Sequence, residues 1–182
     1  MADVEYLKSK LGVHPDFPKK GIVFLDFLPI LQDPLAFETL LTHFTHYITS
    51  EILPKQESKK IDVVVGLDAR GFLIGPSLAL RLGAAFVPVR KKGKLPGECV
   101  SALYVKEYGT DVFEMQANSI KPGQTVLVVD DLIATGGSAK AAGELVALQK
   151  GKTVGYLFVI GLPFLDGQSK LDAPAYSIIQ AD

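Results

Sequence analysis

Residues 126–138 read Val-Leu-Val-Val-Asp-Asp-Leu-Ile-Ala-Thr-Gly-Gly-Ser, and no other stretch limits the architecture of the chain so tightly. A short apolar run ends in adjacent carboxylates, crosses a loop of small residues and enters a segment of helical periodicity. Val126 to Val129 are β-branched or leucine, which suits a strand buried on both faces. Thr135, Gly136, Gly137 and Ser138 carry no bulk, tolerate unusual backbone angles and bring hydroxyls. Ala142, Leu145 and Val146 then repeat at helical spacing, with Ser138 placed as an N-cap. Backbone amides from Ala134 to Ser138 would converge at that helix start, which makes an anion site.

The carboxylates narrow the anion. Asp130 and Asp131 would repel a neighbouring phosphate unless they bind something else, a metal ion or sugar hydroxyls. A vicinal diol one ribose length from a terminal phosphate fits that layout. No lysine follows the glycines, which excludes the loop of nucleoside triphosphatases, where lysine reaches the distal phosphates. The bland alternative is an ordinary strand, turn and helix with surface acids.

Bulk properties fit a small enzyme. A chain of 182 residues is expected to form one domain with one sizeable core. Its formal net charge of −1 carries no electrostatic footprint for nucleic acid or an anionic membrane. Cys99 is the single cysteine, so no intrachain disulfide can form and a reducing, cytoplasmic location is expected. No apolar run approaches the ~18 residues of a membrane span, and the Met-Ala-Asp-Val-Glu start lacks the pattern of a secretory leader.

Along the chain the pattern alternates between helix and strand. Asp33-Pro34 opens a helix to about Leu53, with Leu40, Leu41, Phe44, Tyr47 and Ile48 on its apolar face. Strands are expected over 61–66, 85–89, 126–129 and 153–160, and helices over 72–82 and 138–149. Strands separated by helices imply an α/β fold, a parallel sheet covered on both faces. Ligands of such sheets bind at the carboxyl ends of the strands, where the Asp130 loop would lie. The flanks, about 1–35 and 161–182, break the rhythm and are expected to form a small hood. Residues 93–112 carry Gly93, Pro96, Gly97 and Gly109 with little sustained periodicity, the pattern of a lid loop.

Further segments carry chemistry-bearing residues. Gly66-Leu-Asp-Ala-Arg-Gly-Phe-Leu-Ile-Gly-Pro follows a strand end, and Arg70 in it offers a fork of donors for a diphosphate oxygen or a purine ring nitrogen. A surface ion pair is the alternative for Arg70. Arg90-Lys-Lys-Gly-Lys-Leu-Pro-Gly packs Arg90, Lys91, Lys92 and Lys94 behind a strand. Such a run is usually a solvated face, but at a strand's carboxyl end it can neutralise a departing diphosphate. Lys106-Glu-Tyr-Gly lies in the lid segment, and Phe17-Pro-Lys-Lys-Gly-Ile-Val-Phe-Leu-Asp-Phe-Leu-Pro-Ile lies in the N-terminal flank.

With the 126–138 motif, these segments resemble the type I phosphoribosyltransferases, specifically the adenine phosphoribosyltransferase family and most of all its fungal members. The resemblance runs from about Phe17 to Leu171. It implies adenine and 5-phosphoribosyl 1-diphosphate as substrates, AMP and diphosphate as products, Mg²⁺ as cofactor and a homodimer. Thr135 to Ser138, with Ala134, would hold the 5-phosphate. Asp130 and Asp131 would face the ribose hydroxyls, and Mg²⁺ would be held mainly through substrate. Arg70, Arg90, Lys91 and Lys94 would contact diphosphate, and a cis peptide is implied between Asp68 and Ala69. Glu107 and Tyr108 match the family's lid residues, with Glu107 as the acid/base group for the purine imidazole proton.

The resemblance also has the Val23 backbone read the base, with Phe24 and Leu132 against its faces. Adenine shows an amino donor beside a ring acceptor, which an extended residue's C=O and N–H can match. A 6-oxopurine reverses that polarity and would leave buried groups unpaired. From residue types alone, Ile22 to Phe24 could equally be a core strand. Leu25 and Gly161 depart from the family pattern, which usually has a charged residue and a glutamate there. Other readings are a silent paralogue, a sugar-diphosphate-sensing regulator of the same fold, or a 6-oxopurine enzyme.

Overall fold

The computed structural model describes residues 2–106 and 109–181. Helix α1 (Ala2–Ser9) is followed by a hairpin of β1 (Gly12–Pro15) and β2 (Val23–Asp26), then α2 (Leu28–Gln32) and α3 (Pro34–Tyr47). The αβ core runs β3 (Val63–Leu67), α4 (Gly71–Leu82), β4 (Ala85–Lys91), β5 (Cys99–Lys106), β6 (Gly109–Gln116), β7 (Thr125–Ile133), α5 (Gly137–Leu148), β8 (Lys152–Gly161) and β9 (Ala175–Gln180).

The seven-stranded sheet has the order β5-β6-β4-β3-β7-β8-β9. Its centre is parallel as the alternation implies: β3 pairs in parallel with β4 and β7, and β8 with β7 and β9. The β5–β6 pair adds an antiparallel edge beside β4. The segment read from sequence as an irregular lid, about 93–112, is therefore mostly part of the hairpin of β5 and β6, which runs on to Gln116. Its alternation is plain in the structure, with Ala102 and Tyr104 buried and Ser101 and Leu103 exposed. Gly and Pro on either side hid that short period in the sequence. From the C-terminal flank, β9 joins the main sheet, and the turns over 163–170 lie outside it.

Alternate residues of the central strands feed opposite faces. Val64, Leu127, Val129, Leu157 and Val159 pack with α3 and α4 through Leu40, Phe44, Ile74 and Leu78. Val63, Val65, Val126, Val128, Tyr156 and Phe158 pack with α5 and the hairpin through Leu145, Val146, Phe113 and Met115. The expected helix at 34 starts where the sequence says. Asp33 caps it by accepting from Leu35 N–H and Ala36 N–H, with Pro34 next. Tyr47 ends α3, and the chain continues through a π turn over 48–52 and a 3-10 turn over 53–55. No helix of the described residues is long and apolar enough to cross a membrane.

Candidate active site

The strand expected to end at Val129 continues to Ile133, so Asp130 and Asp131 stand on β7 itself rather than in a loop. Consecutive strand residues alternate between faces, yet both carboxylates line one cavity and lie close enough for each to feel the other. Asp131 is 4% exposed and accepts from Arg70 Nε at 2.7 Å. Asp130 pairs in register with Phe158 of β8 and accepts from Asp131 N–H at 2.9 Å. Burial, and then the charge of Asp131, hold the Asp130 carboxyl well above the ordinary carboxylate range. Burial raises Asp131 too, against the pull of the Arg70 guanidinium.

Arg70 reaches Asp131 because α4 begins close against β7. A Cβ on Gly71 would lie 2.6 Å from the Val129 carbonyl oxygen, so only glycine permits that approach. The preceding Asp68–Ala69 peptide is cis, as the family resemblance implied. Arg70 is thus an ion-pair partner, but one that faces a cavity of about 430 Å³ shared with the β7–α5 loop.

That loop lines the cavity from Asp130 through Ala139. The helix begins one residue earlier than expected, at Gly137, and the N-cap is Gly136 at φ 78°, not Ser138. The contrast with α3 is chemical. At α3 the Asp33 carboxylate occupies the first helical amides, whereas no side chain caps α5. The first intrahelical bond there is Lys140 N–H to Gly136 C=O, which leaves the amides of 137–139 for a ligand anion.

Arg90 and Lys91 end β4, two strands from β7, and Lys94 follows in the turn, all outside that lining. Arg90 Nε donates to Asp68 at 2.7 Å and its Nη1 donates to Lys94 C=O at 3.1 Å. Lys91 Nζ lies 3.4 Å from the Asp111 carboxylate on β6. Arg90 is therefore tied to the 68–70 loop and Lys91 to β6, while the side chains of Lys91, Lys92 and Lys94 stay exposed.

On the base side, Phe24 brings its ring to 5.8 Å from the Arg70 guanidinium carbon, and Leu132 lines the cavity. Val23 is 62% exposed on β2, so the core-strand reading of Ile22 to Phe24 does not hold. Glu107 and Tyr108 lie outside the described residues. Of the departures, Leu25 packs against the core. A Cβ on Gly161 would lie 2.7 Å from Ser177 Oγ and 2.8 Å from Gln180 Oε1, so those side chains fill the space a larger residue would need.

Some lining residues escaped the sequence reading. Tyr104, Phe158 and Leu165 also face the cavity. Phe158 is findable only once β8 is in register with Asp130, and Tyr104 only once the hairpin is recognised. Lys170 donates to Thr135 C=O at 2.7 Å from a turn that carries no local motif.

Among the described residues no group of three or more His, Cys, Asp or Glu side chains is placed to hold a metal ion. His43 Nε2 meets the Tyr176 hydroxyl at 2.6 Å. Mg²⁺ does not need a protein cage. It commonly takes one or two carboxylates, with water and substrate phosphates completing its shell. Asp130 and Asp131 fit that role, and a cation beside the raised Asp130 would favour its charged form.

A sheet with a parallel centre, an acid pair at the end of one strand, an uncapped helix start beside it and a basic turn two strands away defines a sugar-phosphate-binding transferase of the phosphoribosyltransferase class. The phosphoribosyl transferase domain model matches residues 42–180. The adenine phosphoribosyltransferase of Yarrowia lipolytica is 59% identical over 173 residues, 95% of this chain and 93% of that protein. Adenine phosphoribosyltransferase 1 of Saccharomyces cerevisiae is 53% identical over 175 residues, 96% and 91% of the respective chains. The solved structure of the Saccharomyces cerevisiae enzyme complexed with an imino-altritol bisphosphate and adenine aligns with a TM-score of 0.92. It is 52% identical and covers 97% of this chain and 98% of that one. The chain belongs to the adenine phosphoribosyltransferase family.

Proposed function

We propose that this chain transfers the phosphoribosyl group of 5-phosphoribosyl 1-diphosphate to adenine, giving AMP and diphosphate. The observation that carries the reading is that the Asp130–Asp131 pair, Arg70 and the uncapped start of α5 open into one cavity. A sugar phosphate spans such a layout, with the 5-phosphate on the loop amides and the ribose hydroxyls toward the acids. Family membership supports adenine as the base, and the relative solved with adenine and a sugar bisphosphate analogue agrees with it.

In the reaction, the C1–O bond to diphosphate breaks and a bond forms from C1 to the imidazole nitrogen of adenine. Diphosphate leaves with the electron pair, and the imidazole proton passes to a base. Amides 137–139 and the hydroxyls of Thr135 and Ser138 hold the 5-phosphate. Asp130 and Asp131 stabilise positive charge developing at the anomeric carbon. Arg70, Arg90, Lys91 and Lys94 meet the growing charge on diphosphate. Phe24 and Leu132 flank the base while the Val23 backbone reads its amino edge. Glu107 takes the proton while the β5–β6 hairpin excludes water. Mg²⁺, when bound through substrate beside Asp130 or Asp131, supplies charge neutralisation for the sugar diphosphate. The working unit is a homodimer in the cytoplasm.

The test is diphosphate release from 5-phosphoribosyl 1-diphosphate and Mg²⁺ with adenine, hypoxanthine or guanine. Release with adenine alone supports the reading. Release with a 6-oxopurine overturns the base assignment, and tight sugar-diphosphate binding without release overturns the enzyme reading.

A further inference from the structure

The turn that carries the basic cluster is held from below by a buried acid. Arg90 and Lys91 end β4 and pair antiparallel with Glu114 and Phe113 of β6. Lys94 N–H then donates to Lys91 C=O at 3.2 Å, closing a turn over 91–94 in which Gly93 has φ 78°. Both inner amides of that turn are taken by β6. Lys92 N–H donates to Val112 C=O at 2.9 Å, and Gly93 N–H donates to Glu114 Oε2 at 2.9 Å. The other oxygen of Glu114 accepts from Ser101 Oγ on β5 at 3.4 Å.

Glu114 is 8% exposed, and its partners are a backbone amide and a hydroxyl rather than a cation. Burying a carboxylate on such terms is unfavourable, and an apolar side chain would hold the hairpin at less desolvation cost. What the carboxylate adds is an acceptor for the one inner turn amide that the β6 backbone does not take. Without it the Gly93 amide is unpaired, and the turn keeps only one of its two backbone-amide anchors on β6. Arg90 adds a tie from Nη1 to Lys94 C=O at 3.1 Å, and Lys91 Nζ lies 3.4 Å from the Asp111 carboxylate on β6.

We infer that Glu114 is a positioning residue for the leaving group. It fixes the 91–94 turn so that Arg90, Lys91 and Lys94 meet diphosphate together, and it links that turn to the β5–β6 hairpin. The inference rests on the transferase reading above.

The test compares Glu114→Ala, Glu114→Gln and Glu114→Asp with the wild-type chain. Initial rates give separate KM values for adenine and 5-phosphoribosyl 1-diphosphate, and calorimetry with inorganic diphosphate and Mg²⁺ gives affinity without turnover. Glu114→Ala is expected to raise the sugar-diphosphate KM and weaken diphosphate binding about tenfold, with the adenine KM within about twofold. Glu114→Gln keeps an acceptor at the same reach and is expected to restore most of both. Glu114→Asp keeps the charge, falls a methylene short of Gly93 and is expected to behave like alanine. If the alanine variant does not fold, the Gln and Asp pair decides. Equal shifts in both KM values, or Asp performing as well as Gln, would overturn the inference. A wild-type chain that does not release diphosphate would instead overturn the transferase reading itself.

Discussion

Arg70 Nε lies 2.7 Å from a carboxylate oxygen of Asp131, and this ion pair joins the start of α4 to β7 at the cavity. One partner is buried on β7 and the other, at 45% exposure, starts α4 with its guanidinium near the Phe24 ring. Each partner orients the other, so their contributions to catalysis are not independent. Arg70→Gln and Asp131→Asn are each expected to lower kcat/KM about tenfold or more, with a coupling of about 1–2 kcal/mol in the double variant. Solvent screening at Arg70 keeps the stability share of the pair to about 1 kcal/mol. Additive kinetic losses across the cycle would mean that the pair is only structural.

Asp130 carries the opposite burden. Its carboxyl is raised by burial and by Asp131, so the folded chain holds a proton that an unfolded aspartate loses near 3.8. Where the folded state binds more protons, stability falls as pH rises. The decline begins above that ordinary value and continues through the raised one. Asp130→Asn removes the titration and is expected to flatten this part of a urea-midpoint profile against pH. The same variant is expected to lose about a hundredfold in turnover, since an amide cannot become the carboxylate that a cation at the site draws out to stabilise developing positive charge. Wild-type turnover in Asp130→Asn would remove Asp130 from the mechanism.

The parts of this architecture that were legible in sequence are those with strong local signals. Asp33-Pro34 announces α3, and Val126–Val129 followed by small residues announces the β7–α5 turn. Boundaries set by partners were not legible. Asp130 and Asp131 are strand residues because β8 supplies Phe158 and Ile160 as neighbours, and no carboxylate predicts that by itself. Likewise the N-cap falls on Gly136 because its left-handed backbone turns the chain, although Ser138 has the better capping side chain. Lys170 and Glu114 act on loops 35 and 21 residues away in sequence, beyond any motif.

Tyr156 offers a contrast between stability and chemistry. Its ring is 1% exposed, and its hydroxyl donates to Asp172 at 2.6 Å, away from the cavity lining. Burial and the Asp172 carboxylate push the phenol far above its ordinary range, so it stays neutral at working pH. Tyr156→Phe is expected to cost about 1–3 kcal/mol in urea unfolding, the worth of a hydrogen bond to a charged group, with both KM values unchanged. A shift in either KM at unchanged stability would contradict a purely structural role.

The phosphate loop rests on a segment that carries none of its motif. A Cβ on Gly167 would stand 2.2 Å from Ala134 C=O oxygen and 2.6 Å from Gly136 N. These are backbone atoms, so Gly167→Ala must displace either the loop or the turn over 167–170, and no side chain can swing clear. Lys170, from the same turn, also donates to Thr135 C=O at 2.7 Å and so braces the loop from outside. Moving the loop by a few tenths of an ångström misplaces amides that must meet the 5-phosphate together. Gly167→Ala is expected to raise the KM for 5-phosphoribosyl 1-diphosphate about tenfold and to cost about 1–3 kcal/mol of stability through overpacking. Lys170→Met, which removes one bond and no space, is expected to give a smaller rise, about threefold to fivefold. Initial rates with the sugar diphosphate varied at saturating adenine separate this from damage to the base pocket. If both KM values rise in parallel, or neither moves, the turn does not set the geometry of the loop.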